Sequence, residues 1–297
     1  MRAYLTGGTG FVGAWLLRHL ADEGDTAVAP GPEVDVTELD LLAADMAAGA
    51  PDVVYHLAAL THVGRSWSDP AETFRVNAVG TLNVLEAAAR LEVPPVVVLV
   101  SSAEVYGPAG DAGALDEEAE LRPVTPYAAS KVAAEFLGLQ AFLGRGLRVV
   151  RARPFNHVGP GQGDSFVVSA LARRMVEAEL SHTAAVRVGN LAASRDFTDV
   201  RDVVRAYRLV CLRGVAGEAY NICSGKAVSI AELAEQMARL LSYEVELVVD
   251  PELFRPVEVP VLLGDAGKLK AATGWRSEIE LSRTLADVLE DWRERLS

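Results

Sequence analysis

Lysine is almost missing from this chain. Among 28 Lys+Arg it stands only at Lys131, Lys226, Lys268 and Lys270, so nearly every cation is arginine. Arginine does not give up its proton and substitutes poorly where a compact, titratable ammonium is needed. Lys131, the one lysine of the first 225 residues, is therefore a marked position. Cysteine is scarce too. Cys211 and Cys223 lie in apolar surroundings without metal-ligand spacing and read as buried, reduced thiols. The five histidines form no HxxxH-type pair, so no metal site is expected. No apolar run reaches the roughly 20 residues of a membrane span. Met1-Arg2 leads straight into a strand with no signal sequence, and a cytoplasmic protein without a membrane partner is expected. The formal charge of −13 excludes the basic footprint of a nucleic-acid binder and of an anionic-membrane binder. It leaves room for an anionic small ligand, which needs only a local group of arginines.

What is present is the composition of an α/β protein, 50% hydrophobic but only 6% aromatic. At 297 residues the chain suits one large domain or two intimately joined ones. It shows no internal repeat, low-complexity stretch or linker. Residues 2–6 form a short apolar strand, followed by Gly7-Gly8-Thr9-Gly10-Phe11-Val12-Gly13 and an amphipathic helix to about Glu23. Strand, glycine turn and helix are the context a dinucleotide-binding turn needs. Gly8 is expected to make the tight turn, Gly10 to admit a pyrophosphate, and Gly13 to let helix and strand pack closely. The phosphates would sit on the helix N-terminus.

Strand and helix then alternate: Thr26–Ala29, a helix near 38–48, Asp52–His56, a helix near 70–90, Pro95–Val100, a helix from Pro126, and Leu147–Arg153. Strands apolar throughout, such as Val96–Val100, are those of a parallel sheet covered on both faces. The expected fold is a doubly wound parallel sheet (Rossmann), with ligands at the carboxyl ends of its strands. Those ends carry His56-Leu57-Ala58-Ala59, Ser101-Ser102-Ala103-Glu104, and Arg153-Pro154-Phe155-Asn156. The second half is less regular and predicts a smaller α/β substrate-binding lobe. Its expected elements are helices near 165–180, 200–213, 229–241 and 281–296, with strands Ala219–Ile222 and Val245–Val249. The acidic stretch Asp116–Glu120 reads as a solvated loop face.

Tyr127 and Lys131 are four residues apart, one face of a helix that Thr125 can cap and Pro126 can open. An ammonium beside a phenol favours phenolate. Moving a phenol from about 10 toward 7 takes roughly 4 kcal/mol of differential stabilisation. Read singly, Tyr127 is half-buried packing, Lys131 is solvated surface, and Ser102 is a strand-end cap. Together, serine, tyrosine and lysine are the set that polarises a carbonyl while a hydride moves to or from nicotinamide.

At these residues the chain resembles the extended short-chain dehydrogenase/reductase family of nucleotide-sugar epimerases, dehydratases and reductases. The likeness runs from Leu5 to near Trp275. It rests on TGGTGFVG at 6–13, HLAA at 56–59, SSAEVYG at 101–107, PYAASK at 126–131 and RPFNHVGPGQ at 153–162. GNLAASRDFTDVRD at 189–202, YNICSG at 220–225, RPVEVPVLLGD at 255–265 and TGW at 273–275 complete it. The stretches 153–168, 189–202 and 255–265 are most similar to the GDP-mannose branch. The resemblance implies catalysis by Ser102, Glu104, Tyr127 and Lys131. It implies a dinucleotide held by Gly7, Gly10, Phe11, Val12, Gly13, Asp35, Val36, Leu57, Ala58, Ala59, Tyr127, Lys131 and Pro154. A GDP-sugar would meet Thr61, Ser102, Asn156, Arg195, Arg255 and Glu258, the guanidinium forks suiting its diphosphate. A dinucleotide domain of 1–154, about 186–222 and 258–268 is expected, with a sugar-nucleotide lobe of about 155–185, 223–257 and 269–297.

Two activities of that branch compete. Glu104 stands where its dehydratases place the carboxylate that takes the proton from carbon 5. The segment Ala29–Asp35, by contrast, is short and lacks the arginine a dehydratase carries there, and RPFNHVGPGQGDSFV follows the reductases. The expectation is reduction of the carbon-4 ketone of GDP-4-keto-6-deoxymannose, with GDP-mannose 4,6-dehydration as the alternative. The second strand ends in neither an acid for a 2′-hydroxyl nor an arginine for a 2′-phosphate. Asp35-Val36 are expected to face the adenine, with NADPH as cofactor and NADH also compatible. A homodimer through helices near 70–90 and 126–144 follows from the resemblance alone. A cofactor-sensing protein without turnover is the contrasting class, which the intact Ser102, Tyr127 and Lys131 disfavour.

Overall fold

The computed structural model describes residues 1–31, 33–108, 113–253 and 259–297. Its elements follow the alternation of β-branched runs and Ala/Leu-rich segments. The first strands are β1 (Arg2–Thr6), β2 (Thr26–Val28), β3 (Val53–His56), β4 (Val96–Val100) and β5 (Val149–Pro154). Then come β6 (Asn156–Val158), β7 (Ala185–Val188), β8 (Ser194–Asp199), β9 (Ala219–Ile222), β10 (Ala227–Ser229), β11 (Glu246–Val249) and β12 (Val261–Leu262). The helices are α1 (Phe11–Asp22), α2 (Leu39–Gly49), α3 (Val63–Ser68), α4 (Pro70–Phe74), α5 (Gly80–Ala89) and α6 (Pro126–Arg145). They continue as α7 (Val167–Ser181), α8 (Val200–Arg213), α9 (Ile230–Ala238), α10 (Gly267–Thr273) and α11 (Leu281–Leu296).

Six strands form one parallel sheet in the order β2-β1-β3-β4-β5-β9. One face packs on α1 and α8 through Leu16, Leu20, Val204 and Tyr207. The other packs on α2, α5 and α6 through Leu42, Met46, Leu85 and Ala141. Both faces being covered is why the central strands carry no polar alternation. Chain order reverses at β1, which lies between β2 and β3. A crevice opens at the carboxyl ends of strands on either side of such a reversal.

The smaller lobe is built from β8 with β10, β12 and β6, the pair β7–β11, and helices α7, α9 and α11. Its own core holds Leu171, Met175, Leu233, Met237 and Leu289. The strand pairing differs from the boundaries read off the sequence. β7 and β8 were expected with the dinucleotide domain but pair outside its sheet; from 186–222 only α8 and β9 return to it. β7 alternates exposed and buried residues, as suits a strand covered on one face, whereas β8 is buried along nearly its whole length within the lobe.

The single helix expected over 70–90 is divided. Between α4 and α5 the turn over Arg75–Val79 widens to a π-helix. Widened turns of this kind recur at functional sites. Here the turn carries Asn77, 1% exposed, which bonds both the N–H and the C=O of Leu60 (2.8 and 3.1 Å) and the Ser130 hydroxyl (2.9 Å). In the acidic stretch Asp116, Glu118 and Glu120 are exposed as expected, while Glu117 turns inward and its carboxylate accepts the Asn221 N–H at 2.6 Å.

In the turn after β1 the positive φ (+74°) falls on Gly7, not on Gly8. A side chain at Gly7 would meet the Ala58 backbone, and one at Gly13 would strike the Gly7 carbonyl. Replacing Gly13 with alanine is expected to destabilise the protein by about 1–3 kcal/mol, the usual cost of overpacking. An unchanged urea midpoint would contradict that.

Candidate active site

Helix α6 begins as its sequence requires. Thr125 Oγ1 accepts the Ala128 N–H at 3.0 Å, and Pro126 occupies the first turn, where no N–H is needed. The cap sets the direction in which the helix leaves the rim and so aims its first turn. Tyr127 is 6% exposed and Lys131 5%, both on the buried face against the carboxyl end of β4. Lys131 Nζ donates to the Val100 carbonyl at 2.9 Å. Ser102, just past that strand, is extended, and its hydroxyl accepts the Glu104 N–H at 3.2 Å.

The electrostatics correct one expectation. Burial pushes the Tyr127 phenol up to about 12; a hydrogen bond with Ser102 works against this, and the Glu104 charge reinforces it. Lys131 is not among the groups that shift the phenol here, and its ammonium bonds the Val100 carbonyl. Burial brings Lys131 itself down to about 8, with Glu135 opposing. At neutral pH the site holds a neutral phenol beside a buried ammonium. That pairing can give a proton, not take one.

His56, at the end of β3, is pushed down to about 3 by burial, with the Lys131 charge adding, and is therefore neutral. Its tautomer follows from its neighbours. The Thr81 hydroxyl donates to the Asn77 carbonyl (2.6 Å), so toward His56 Nε2 (2.9 Å) it accepts. Nε2 carries the proton, and Nδ1 accepts from Thr6 Oγ1 at 2.7 Å. The Thr6 oxygen in turn receives the Ala58 N–H at 3.3 Å. This chain pins Leu57-Ala58-Ala59 against the glycine turn.

A cleft of about 940 Å³ lies above these strand ends, at the upper limit for small-molecule sites (roughly 300–1,000 Å³). It brings together Gly7, Gly10, Phe11, Val12, Gly13, Leu57, Ala58, Ala59, Thr61, Ser102, Glu104, Tyr127, Lys131, Pro154, Asn156 and Arg195. Asp35 and Val36 are not among its lining. The Asp35 carboxylate is taken by the N–H and hydroxyl of Thr37 (2.8 and 2.9 Å), and Val36, 7% exposed, packs in the core with Leu42 and Val84. Arg255 and Glu258 lie outside the described residues. The cleft also contains His157, Arg174 and Asn190, to which the sequence reading gave no role although His157 and Asn190 lie within quoted motifs. His157 stacks on Phe11 with centroids 6.4 Å apart, a pairing across 146 residues that sequence spacing does not reveal. Among the described residues no His/Cys/Asp/Glu group could hold a metal, and no helix is long and apolar enough to cross a membrane.

The cradle fits a dinucleotide. Gly10 caps α1 with no side-chain hydrogen bond, so the first N–H groups of that helix are left to a ligand. Gly7, Gly8 and Gly13 let the turn and the helix start pack tightly, since Cβ atoms there would strike Ala58, Ala29 and the turn itself.

The family model described as GDP-mannose 4,6-dehydratase matches residues 32–288. The chain belongs to the GDP-mannose 4,6-dehydratase family. It is 40% identical to the GDP-6-deoxy-D-mannose reductase of Pseudomonas aeruginosa over 99% of this chain and 98% of that one. It is 30% identical to the GDP-6-deoxy-D-talose 4-dehydrogenase of Aggregatibacter actinomycetemcomitans over 100% of this chain and 98% of that one. Among solved structures, RMD from Pseudomonas aeruginosa complexed with NADPH superposes with a TM-score of 0.92 at 39% identity, covering 99% and 100% of the two chains. The extended fold of nucleotide-sugar short-chain enzymes is thereby shown for a family whose name covers dehydratases and whose relatives include reductases.

Because Lys131 keeps its proton below about 8 and loses it above, kcat/KM, which reports the free enzyme, is expected to fall as pH rises through that value. A pH profile level across it would contradict the assignment. Tyr127→Phe is expected to lower kcat by about 10²–10⁴-fold, the usual range for a lost general acid, with dinucleotide affinity nearly unchanged by fluorescence titration.

Proposed function

We propose that this chain reduces the carbon-4 ketone of GDP-4-keto-6-deoxy-D-mannose to GDP-6-deoxymannose (GDP-D-rhamnose), with NADPH as reductant. One observation carries the reading: Ser102, Tyr127 and Lys131 converge in a dinucleotide-shaped cleft of a chain aligned end to end with a GDP-6-deoxy-D-mannose reductase. The neutral state of Tyr127 supports the direction. Reduction of a ketone needs a proton donor at the carbonyl oxygen, and a phenol held near 12 is an acid throughout the physiological range.

When bound, NADPH supplies the hydride. The N–H groups at the start of α1 would hold its diphosphate, with Leu57-Ala58-Ala59, Pro154 and Lys131 also lining the cleft that would receive it. Ser102 donates a hydrogen bond to the carbon-4 oxygen, and Tyr127 passes its proton to that oxygen as charge develops there. Asn156, Arg195 and Arg255 are assigned to the diphosphate and nucleotide, and Glu258 to a ribose. The cytoplasm is the proposed location. A homodimer is proposed through the face carrying Phe74, Val79, Phe136 and Leu143, which are 38%, 47%, 55% and 72% exposed.

Glu104 supports a second reading. Its carboxylate lines the cleft and its charge acts on Tyr127, the place for a base in GDP-mannose 4,6-dehydration. One assay separates the two. Purified protein with the 4-keto sugar nucleotide and NADPH is expected to consume nicotinamide absorbance. Conversion of GDP-mannose without net use of reduced cofactor would replace reductase by dehydratase.

A further inference from the structure

Behind the cleft floor lies a buried ionic cluster that the proposed chemistry leaves unused. Glu135 stands one helical turn after Lys131 on α6 and is fully buried. Its carboxylate accepts from Ser101 Oγ at 2.5 Å, from Arg153 Nε at 2.9 and 3.0 Å, and from Arg153 Nη2 at 2.8 Å. Arg151 Nη1 approaches at 3.5 Å. Arg153 also donates from Nη1 to the Tyr106 hydroxyl (2.9 Å) and the Glu117 carbonyl (3.2 Å), and Tyr106 donates onward to Asn221 of β9 (2.7 Å).

Sequence adjacency gives the cluster its meaning. Ser101 immediately precedes Ser102, Arg153 immediately precedes Pro154, and Glu135 shares the inner face of α6 with Tyr127 and Lys131. One carboxylate therefore ties α6, β4 and β5 together where each delivers a residue to the cleft. Stability alone does not call for charge here, since buried ion pairs are often matched or bettered by apolar replacements of similar volume.

We propose that Glu135 is a positioning residue of this active site. Its bonds to Ser101 and Arg153 set the strand ends that carry Ser102 and Pro154, and its negative charge holds Lys131 in the ammonium form. The groups facing these two side chains are few. Lys131 meets the neutral ring of His56 from β3, the Val100 carbonyl from β4, and Glu135 from its own helix. Tyr127 and Glu104 share its cleft wall. Glu135 meets Arg151 and Arg153 from β5, with Tyr106 and Glu117 beyond them. Glu135 alone among these raises the Lys131 pKa against burial. Its removal therefore makes the lysine lose its proton at lower pH.

The scarcity of lysine makes this measurable in the free protein. With lysine labelled at ¹³Cε, four side chains titrate by NMR, and Lys131→Met identifies the relevant resonance. In Glu135→Gln the Lys131 midpoint is expected to drop by about one pH unit, and Glu135→Asp to restore most of it. The turnover arm rests on the reductase reading: kcat of the Gln variant is expected to fall about ten-fold or more, with KM nearly constant. An unmoved Lys131 midpoint, or a kcat loss that merely follows the melting temperature and is not recovered in the Asp variant, would overturn the proposal.

Should Glu135→Gln fail to fold, Ser101→Ala removes only the hydroxyl and leaves the Glu135–Arg153 pair. Its kcat is expected to drop about ten-fold with the melting temperature nearly unchanged, and wild-type kcat would overturn the clamp. If the wild type reduces no ketone, the substrate reading fails while the NMR titration still decides the role of Glu135.

Discussion

Lys131 donates a hydrogen bond to the Val100 carbonyl at 2.9 Å, and the rest of the site is arranged around that bond. It joins the first turns of α6 to the end of β4, so Tyr127, Lys131 and Ser102 become neighbours although 25 residues separate Ser102 from Tyr127. The bond is made in a nearly water-free place, where an unpaired ammonium would be expensive. Three features keep it charged or at least tolerated: a carbonyl acceptor, the Glu135 carboxylate one turn away, and a histidine that burial keeps neutral rather than competing.

The same burial decides what the tyrosine can do. A phenol in water loses its proton near 10; this one is held near 12 because its anion would be poorly solvated. Proximity of an ammonium in sequence does not by itself acidify a phenol. Here the groups that act on it are burial, Ser102 and Glu104, and the ammonium bonds a backbone oxygen. The outcome is an acid poised over a strand end, the form needed at a carbonyl oxygen that gains electron density.

Around this pair the fold supplies room and orientation. Reversal of strand order at β1 opens the crevice, and the glycines of the first turn let helix α1 start close against β1 and Ala58. The Thr6–His56–Thr81–Asn77 chain fixes one wall, and Asn77, held in its widened turn, braces Ser130 and so the start of α6. These contacts are polar and fully paired, and each removes freedom from a loop that would otherwise move.

The sequence by itself determined the parallel sheet, the glycine turn, the capped start of α6 and the Ser102, Tyr127, Lys131 set. Each of these is written in local periodicity, in a cap, or in residue types a few positions apart. Only the tertiary structure decided the rest. β7 and β8 join the smaller lobe because their partners come from 156–158 and 227–262. Val36 is drawn into the core because α2 and α5 close over it, and Asp35 is turned back to Thr37. Glu135 meets Arg153, and Phe11 meets His157, across spans that no spacing rule covers. The direction of the Lys131 ammonium and the protonation of Tyr127 belong to this second group. Both depend on how much water the fold excludes, a property of the packed whole that a linear motif does not carry.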